Sequence, residues 1–323
     1  HYSERTDILM LKIAIVGTGI IGLSHIDAIK RIPDCRLCAL CDLDENKVKP
    51  LAEENNVPYF LNYEDIPTHT DCDAVILNLP HGLHCKSAVF FLEHGIHVLV
   101  EKPMANTVAE CEKMADAANK SGKKLAVAHI QRFFTANTIV KKTIESGELG
   151  KLCMYTESRT VNYFDSKRPR WFLDKKMAGG GIVMNYGAHA FDKLFFTTGA
   201  RPLSINAFCA NIKNDASIEG HAQIFAQFDN NVTAAITFSG YSNVIYDSIY
   251  YFTDGAMRVI GSDILEINRG DGKGWTRIPN LNDGLEFVRE IEEFRKYTDN
   301  EPSLIPDAQY GKDIISAIEK VYG

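Results

Sequence analysis

The chain has 323 residues, of which 45% are hydrophobic and 24% charged, and its formal net charge is −7 at pH 7. This composition is typical of a soluble globular protein with a full core and enough length for two domains. The acidic balance, without any basic block, argues against nucleic acid and against an anionic membrane as partners. No apolar run approaches the ~18 residues that a membrane-spanning helix needs.

The N-terminal stretch lacks the basic start and the small-residue cleavage site of a signal peptide, so residues 1–9 are set aside from the fold and Met10 is expected as the natural start. Eight cysteines lie scattered in apolar segments, which favours a reducing compartment and a cytoplasmic location. Cys35 and Cys38 point to opposite faces of a predicted strand and no second pair follows, so buried thiols are expected and no metal site is predicted.

The first 130 residues alternate apolar runs with amphipathic stretches. Runs rich in Val, Ile and Leu predict strands at 11–17, 36–42, 74–79, 97–101 and 124–130. The stretches between them predict helices at 22–32, 44–55, 82–94 and 107–121. This alternation indicates an α/β fold with a doubly wound parallel sheet covered on both faces. Such a sheet binds its ligand at the carboxyl ends of its strands, which is where Glu101 and Lys102 follow a strand.

The pattern changes after residue 130. A helix is predicted at 135–146, and stretches with strand character follow at 152–163, 203–212, 219–229, 232–241, 244–254 and 256–263. Several of them alternate apolar and polar residues, as a mostly antiparallel sheet with one covered face does. Amphipathic helices are predicted at 284–297 and 307–322. We place the domain boundary at residue 127.

A glycine motif, Gly17-x-Gly19-x-x-Gly22, follows the first strand and opens the first helix. This context favours a dinucleotide-binding turn over a chance match or a glycine-rich turn without a nucleotide. Gly17 allows the tight turn, Gly19 lets the backbone approach a pyrophosphate, and Gly22 lets the helix pack on the strand. Ile20 and Ile21 lie between them and count among the cofactor-binding residues. Residues 1–127 are therefore predicted to form an NAD(P)-binding Rossmann domain.

Asp42 ends the second predicted strand, twenty residues beyond Gly22. An acid at this position accepts hydrogen bonds from both ribose hydroxyls and repels a 2′-phosphate, so NAD is favoured over NADP. The alternative for Asp42 is a solvated residue at a strand end.

Three segments in order, "VGTGIIG", "NLPHGLH" and "VLVEKPMA", resemble the glucose–fructose oxidoreductase / inositol dehydrogenase family (Gfo/Idh/MocA), and "RWFLDKKMAGGGIVMNYGAHAFD" resembles that family's second-domain motif. The resemblance covers nearly the whole chain. It implies that 128–323 form a substrate-binding and oligomerisation domain with a mostly antiparallel open sheet, assembled as homodimers or homotetramers. It also implies an NAD(P)-dependent oxidoreductase acting on a secondary carbinol of a sugar, a sugar derivative or a cyclic polyol.

The same resemblance assigns roles to residues. Lys102 would contact both the nicotinamide ribose and the substrate, Glu101 would orient the cofactor side, and the Lys102–Pro103 bond would be cis. Positions that line the cofactor in the family correspond to Asn78, Pro80 and His84.

Alcohol oxidation releases a hydride to the nicotinamide and a proton to a base. Next to a cationic nicotinamide ring and away from water, Lys102 would have a lowered pKa, because both effects disfavour the ammonium form. It could then exchange a proton with a hydroxyl near neutral pH. The alternative is an ordinary surface lysine at a strand end.

Many family dehydrogenases have Asp where this chain has Asn185, four residues before His189. In a helix, both side chains would share one face. Asn185 cannot take a proton but could hydrogen-bond a hydroxyl or position His189 or Lys102, and Asn here also resembles the 3-dehydrogenases of nucleotide-linked amino sugars. His189 is the second candidate for proton transfer, because the glycines at 179–181 suggest a close backbone approach to a ligand.

Weaker candidates for the substrate pocket are Arg132, Tyr163 and Trp171. Five apolar residues predict a sheet face that the two C-terminal helices and a second subunit would cover: Ile224, Phe225, Ala235, Ile236 and Phe238. Besides the dehydrogenase, two functions stay open. One is a redox-neutral, NAD-dependent glycoside-cleaving enzyme, and the other is a non-catalytic nucleotide-bound regulatory module.

Overall fold

The computed structural model describes residues 10–213, 217–279 and 281–323, and the first part of this chain forms a parallel sheet. Its strands are β1 (Leu11–Val16), β2 (Cys35–Cys41), β3 (Tyr59–Phe60), β4 (Ala74–Leu77), β5 (His97–Glu101) and β6 (Leu125–Ala128). They lie in the order β3-β2-β1-β4-β5-β6. The helices of this part are α1 (Ile20–Lys30), α2 (Glu45–Asn55), α3 (Ile66–His69), α4 (His81–Glu93) and α5 (Val108–Ser121).

The strands of this sheet are apolar throughout because both of its faces are covered. In β1, Ile13 and Ile15 belong to one buried cluster, whereas Ala14 and Val16 belong to another on the opposite face. Continuous burial of this kind is what distinguishes a doubly wound parallel sheet from a half-exposed antiparallel one. The sequence-based prediction for this domain is confirmed.

The second sheet has its strands in the order β14-β13-β12-β11-β7-β10-β9-β8, and only the β7–β10 pair is parallel among the described residues. The strands are β7 (Leu152–Thr160), β8 (Pro202–Ala210), β9 (His221–Phe228), β10 (Thr233–Ser239), β11 (Tyr246–Phe252), β12 (Gly255–Ile260), β13 (Ile264–Asn268) and β14 (Thr276–Ile278). The helices around it are α6 (Thr135–Ser146), α7 (Lys175–Ala178), α8 (Ala188–Thr198), α9 (Glu286–Thr298) and α10 (Ala308–Tyr322). The predicted mostly antiparallel sheet is confirmed.

The predicted position of α9 is wrong. We expected both C-terminal helices to cover the second sheet, but Ile291 and Phe294 of α9 pack in the cluster that contains Ile13 and Ile15 of the parallel sheet. Of the two C-terminal helices, α10 packs on β8 of the second sheet, and Phe195 of α8 contacts Phe228 of β9. An amphipathic pattern shows that a helix buries one face, but it does not show which sheet receives that face.

The five apolar residues predicted to share one sheet face are divided between two faces. Ile224 of β9 and Ile236 of β10 are directly paired and both are 1% exposed. Phe225 lies one residue further along, opposite Ala235, and is 53% exposed. Successive side chains of a strand point to opposite faces, so one face packs on α8 and α10 while Phe225 and Ala235 lie on the outer face.

The chain returns to the parallel sheet near its end. Asp307 forms an isolated antiparallel bridge with Ala126, and the amide of Val127 donates to the carbonyl of Pro306. A second contact also joins the two parts of the chain. Helix α7 of the second part contacts α4, and the His81 ring lies 2.9 Å from the Ala178 carbonyl oxygen. The contact between α7 and α4 places the segment around α7 against the carboxyl edge of the parallel sheet. Within the described ranges, no helix combines the length and apolarity needed to cross a membrane.

Candidate active site

The glycine turn is tight on its protein side and open on the other. Gly17 has φ of +93°, and a Cβ there would lie 2.3 Å from the Asn78 carbonyl oxygen. A Cβ on Gly22 would lie 2.2 Å from the carbonyl oxygen of Gly17. Gly19 precedes α1, and a Cβ there would meet no heavy atom within 4 Å. Backbone N–H groups at the start of α1 therefore adjoin open space, as a pyrophosphate site requires.

Asp42 is an anion held next to this turn. Its Oδ2 accepts hydrogen bonds from the amide and the hydroxyl of Thr18, both at 2.8 Å, and its Oδ1 accepts one from the amide of Asp44 at 3.1 Å. Burial alone would raise the pKa of Asp42, but these hydrogen bonds outweigh it and lower the pKa. The carboxylate is therefore ionised and fixed at the end of β2.

Asn78 carries a donor that no described residue accepts. Its Oδ1 lies 2.9 Å from Nδ1 of His25, whereas its Nδ2 is buried without a hydrogen-bond partner. A buried amide donor is normally paired, so this atom, beside Gly22, points to a group supplied by a ligand. Pro80 lies two residues on, as the N-cap of α4.

His84 supports the turn that follows β5. Its Nδ1 lies 2.9 Å from the Pro103 carbonyl oxygen and its Nε2 lies 2.8 Å from the Leu79 carbonyl oxygen. Burial lowers the pKa of His84, so the neutral ring donates to one of these carbonyls at a time. Both ring nitrogens face protein groups, which indicates that His84 positions residues 101–103.

Lys102 lies between the two sheets. The Lys102–Pro103 bond is cis, as expected, and Nζ of Lys102 donates to the side-chain oxygen of Asn185 at 2.6 Å and to its carbonyl oxygen at 3.3 Å. Burial lowers the pKa of Lys102 to about 8 against the opposing effect of Glu101, and Arg159 and Arg168 lower it further. A cationic nicotinamide is therefore not needed to bring this amine near neutral pH.

Glu101 belongs to a buried cluster of acids with one histidine. Its Oε2 accepts the Lys102 amide at 3.0 Å, and its Oε1 lies 3.8 Å from Nε2 of His25, which is itself 3.2 Å from Oε2 of Glu290. Burial raises the pKa of Glu101 to about 7, and Glu290 raises it further against His25 and Lys102. The contacts of His25 make it the link between Asn78 and these two acids.

Asn185 lies in a π-helical turn, Val183–Gly187, that leads into α8. Asn185 is 5% exposed, and its Oδ1 accepts a hydrogen bond from Nζ of Lys102, which orients this neutral side chain. His189 is also buried, and its Nδ1 has no partner among the described residues. Burial and the nearby cations Lys102 and Arg159 hold the pKa of His189 well below its ordinary value, so the ring is neutral.

The glycine triplet at 179–181 was predicted to allow a close approach to a ligand, and the structure gives these glycines a different role. A Cβ on Gly179, Gly180 or Gly181 would lie 2.4 Å from Asn106 Oδ1, 2.1 Å from the Tyr322 hydroxyl oxygen or 2.1 Å from the Glu219 carbonyl oxygen, respectively. Protein atoms, not a ligand, thus fill the space beside these glycines. The case for His189 now rests on its unpartnered Nδ1 and its interaction with Lys102.

The weaker pocket candidates are placed differently from one another. Tyr163 is buried, and its hydroxyl donates to the Gly181 carbonyl at 3.3 Å. Trp171 stacks on Phe172 with ring centroids 3.7 Å apart and contacts the edge of His81.

Arg132 is engaged elsewhere. Its guanidinium donates to Asp192 at 2.7 Å and to the Leu304 carbonyl at 2.8 Å, and it lies 4.5 Å from the Tyr310 ring centroid. These contacts favour a supporting role for Arg132 rather than direct contact with the substrate.

Three basic residues of the site were not predicted from the sequence: Arg159, Arg168 and His129. Arg159 and Arg168 both act on the pKa of Lys102. His129 follows β6 and is buried, its two ring nitrogens have no hydrogen-bond partner among the described residues, and it interacts electrostatically with Lys102 and Asp192. No short motif in the sequence marks these three residues. A charged residue in a strand or loop is normally solvated, so its residue type alone does not predict a place in a buried site.

Together these features define a class of two-domain protein, in which a dinucleotide-binding parallel sheet is faced by an open, mostly antiparallel sheet. Residues 11–129 match a family model described as "Oxidoreductase family, NAD-binding Rossmann fold", and residues 138–263 match one described as "GFO/IDH/MocA C-terminal domain". The chain therefore belongs to the Gfo/Idh/MocA oxidoreductase family, as its motifs predicted.

Individual relatives are distant. A 1-carboxy-3-chloro-3,4-dihydroxycyclohexa-1,5-diene dehydrogenase of Comamonas testosteroni is 30% identical over 58% of this chain, but the match spans only 47% of that protein. D-glucoside 3-dehydrogenase of Escherichia coli is 24% identical over 97% of this chain and 94% of its own length. The structure of aldose-aldose oxidoreductase from Caulobacter crescentus, complexed with glycerol, superposes with a TM-score of 0.88 at 23% identity, covering 97% of this chain and 96% of that one. At this distance the last likeness shows the fold.

Proposed function

We propose that the protein is an NAD-dependent dehydrogenase. It transfers a hydride between nicotinamide and a secondary carbinol of a sugar, a sugar derivative or a cyclic polyol, and the sugar derivatives include nucleotide-linked ones. The observation that best supports the proposal is the position and the lowered pKa of Lys102. It lies at the carboxyl end of β5, its amine is held by the neutral Asn185 at 2.6 Å, and its pKa is lowered to about 8. An amine with a pKa near the working pH is suited to general acid–base catalysis.

The residues present fit a dinucleotide. Gly19 leaves open space at the start of α1, Asp42 is ionised at the end of β2, and Asn78 has a buried donor without a partner. Ile20 and Ile21 are 84% and 41% exposed at this opening, where a cofactor would cover them. NAD, when bound, supplies the acceptor for the hydride.

The residues of the chain handle the proton. When a CH–OH group becomes C=O, the two electrons of its C–H bond leave with the hydride, and the hydroxyl proton passes to Nζ of neutral Lys102. Asn185 aims this amine and cannot compete for the proton, because an amide is not a base at neutral pH. His189, kept neutral by its surroundings, is available to hydrogen-bond the hydroxyl.

The relatives support an alcohol of a sugar-like molecule as the substrate. The Escherichia coli relative, matched over 94% of its length, is named for dehydrogenation at position 3 of a D-glucoside. The Caulobacter structure is named for oxidoreduction between aldoses. Both names concern hydroxyl or carbonyl carbons of sugars, which is the chemistry proposed for Lys102.

Assembly and location are part of the same proposal. We infer a homodimer or homotetramer in which a second copy covers the outer face of the antiparallel sheet. Apolar side chains exposed on that face include Met154, Phe208 and Phe225, which are 40%, 77% and 53% exposed. The free cysteines agree with a reducing compartment such as the cytoplasm.

The direct test is a panel of sugars, inositols and nucleotide sugars, each incubated with NAD or NADP while the absorbance of the reduced nicotinamide is followed. Steady NADH formation with a panel compound is expected. Cleavage of a glycoside without net NADH formation would instead indicate the redox-neutral enzyme. Cofactor binding without hydride transfer to any compound would indicate a regulatory module.

A further inference from the structure

Two arginines lie against Tyr186 without an acidic partner. The guanidinium carbon of Arg159, in β7, lies 4.0 Å from the ring centroid of Tyr186 and 4.1 Å from that of Tyr246. Arg168, in the loop after β7, donates to the Tyr186 hydroxyl at 3.4 Å and lies 4.3 Å from the ring centroid of Tyr163. Throughout 10–213, 217–279 and 281–323, no carboxylate pairs with either arginine. Aromatic rings thus surround both cations.

Several of their donors are buried and unused. Nε and Nη1 of Arg159 and Nε of Arg168 have no hydrogen-bond partner within the part of the chain that the structure describes. Burying charged donors without partners is costly. Two other buried cations of this region do have acids, since Arg132 contacts Asp192 and Lys193 contacts Glu157, both at 2.7 Å. The unused donors therefore distinguish Arg159 and Arg168 as a pair that awaits an anion.

Two glutamates near these arginines, Glu157 and Glu219, bind other groups of the protein. Glu157, two residues before Arg159 in β7, contacts Lys193 and accepts a hydrogen bond from Tyr155. Glu219 accepts the amides of Gly181 and Val183 at 2.9 Å. Neither carboxylate pairs with Arg159 or Arg168 in the described part of the chain, and Oε1 of Glu157 is itself without a hydrogen-bond partner there.

The pair adjoins the reaction centre. Tyr186, which both arginines contact, directly follows Asn185, and Asn185 holds the amine of Lys102 at 2.6 Å. Three cationic side chains thus converge on one short segment, Val183–Gly187. A substrate whose hydroxyl reaches Lys102 can therefore place another of its groups against the two arginines.

We propose that Arg159 and Arg168 form an oxyanion subsite next to Lys102, and that the substrate is an acidic sugar or polyol. Its carboxylate or phosphate group would lie in the same molecule as the reacting carbinol. Planar guanidinium groups bind both kinds of oxyanion through paired N–H donors, and their stacking on aromatic rings leaves the N–H edges free to do so. This inference rests on the proposed dehydrogenase function and narrows its substrate class.

The test compares matched acidic and neutral compounds. D-galacturonate is paired with D-galactose, D-gluconate with D-glucitol, and D-glucose 6-phosphate with D-glucose, so the first two pairs probe a carboxylate and the third a phosphate. Turnover with NAD is measured for each, and binding to the NADH-loaded protein is measured in parallel by titration calorimetry. The acidic member of at least one pair is expected to have a KM or Kd about 10- to 100-fold lower than its neutral partner.

Substitutions assign the preference to the two arginines. Arg159→Gln and Arg168→Gln should each raise the KM or Kd of the acidic compound by about 10- to 100-fold and change that of the neutral partner little. Arg277→Gln removes a charge that is exposed in β14 and paired with Glu266, and it should change neither. Arg159→Lys, which keeps the charge, is the second variant should Arg159→Gln fail to fold.

The two proposals fail in different ways. Absence of NADH formation with every compound contradicts the dehydrogenase function, while calorimetry still measures the charge preference. Equal or weaker binding of the acidic members, or an equal loss for acidic and neutral compounds in both Gln variants, overturns the oxyanion subsite.

Discussion

The chemistry of the site depends on a neutral residue next to a lysine. Asn185 accepts a hydrogen bond from Nζ of Lys102 but carries no charge to stabilise the ammonium form. Burial, Arg159 and Arg168 all oppose that form, and the charge of Glu101 favours it. The amine is therefore titratable near pH 8, and the neutral base becomes more populated as pH rises through this value.

This balance predicts how the pH profile responds to a carboxylate. Oxidation by the unmodified protein should rise with an apparent pKa near 8, where Lys102 loses its proton. Asn185→Asp adds an opposite charge within hydrogen-bond reach and should move the rising limb upward by about 1–2 pH units. The measurement is kcat/KM against pH. Asn119→Asp, the same change at an exposed position of α5, should leave the limb in place. An unshifted limb in Asn185→Asp would show that another group titrates.

Asp42 allows a second prediction at this scale. Its ionised carboxylate should bind the two hydroxyls of an NAD ribose and repel the phosphate of NADP, so the unmodified protein should bind NAD more tightly. Asp42→Ser should weaken NAD binding by about 10- to 100-fold, as expected for lost hydrogen bonds to a charged group, and reduce the discrimination against NADP. Fluorescence titration with both reduced cofactors measures this. Tighter NADP binding by the unmodified protein would overturn the assignment.

At the scale of elements, glycines with similar sequence signatures serve different purposes. A Cβ on Gly19 would meet nothing within 4 Å, whereas one on Gly181 would lie 2.1 Å from the Glu219 carbonyl oxygen. Gly19 lies at a helix start that faces open space, while Gly181 is packed where Glu219 accepts the amides of Gly181 and Val183. We therefore expect the first glycine to serve a ligand, whereas the second serves the fold.

A matched pair of alanine variants separates these purposes. Gly19→Ala should leave the free energy of unfolding within ~0.5 kcal/mol of the parent but weaken NADH binding, because its methyl group enters the space for the pyrophosphate. Gly181→Ala should lower the free energy of unfolding by about 1–3 kcal/mol, because the Glu219 backbone must move. Denaturant melts with and without NADH measure both effects. Unchanged NADH affinity in Gly19→Ala would mean that the turn does not hold the cofactor.

Elements that depend on a local sequence pattern were predicted, whereas features that depend on contacts between distant elements were not. The parallel sheet, the glycine turn and Lys102 were predicted because their strands are apolar on both faces and their motifs are contiguous. The strands β3 and β14 were missed because two or three residues are too few to show a period, and the five-residue β13 was missed as well. The partner of α9 and the positions of Arg159 and Arg168 could not be predicted, because they depend on which elements meet in space.

At the scale of the whole molecule, we interpret the exposed outer face of the antiparallel sheet as the surface that a second copy of the chain covers. Phe225 is 53% exposed there, opposite Ala235 of β10. Light scattering at micromolar protein should therefore give a multiple of the 36.1 kDa chain mass. Phe225→Glu should dissociate the assembly, whereas Leu304→Glu, at an exposed apolar residue before α10, should not. A mass of 36.1 kDa for the unmodified protein would contradict this assembly.

The central claim is that Lys102 transfers the proton, and Lys102→Ala tests it most directly. With a substrate identified from the panel, turnover is compared with NADH affinity in the same variant. Turnover should fall by ~10²–10⁴, the range for loss of general acid–base catalysis, and Lys102→Arg should also be poor because a guanidinium stays protonated. NADH binding should stay largely intact, since the glycine turn and Asp42 supply most contacts. Near-normal turnover in Lys102→Ala would contradict the account and leave His189 as the base.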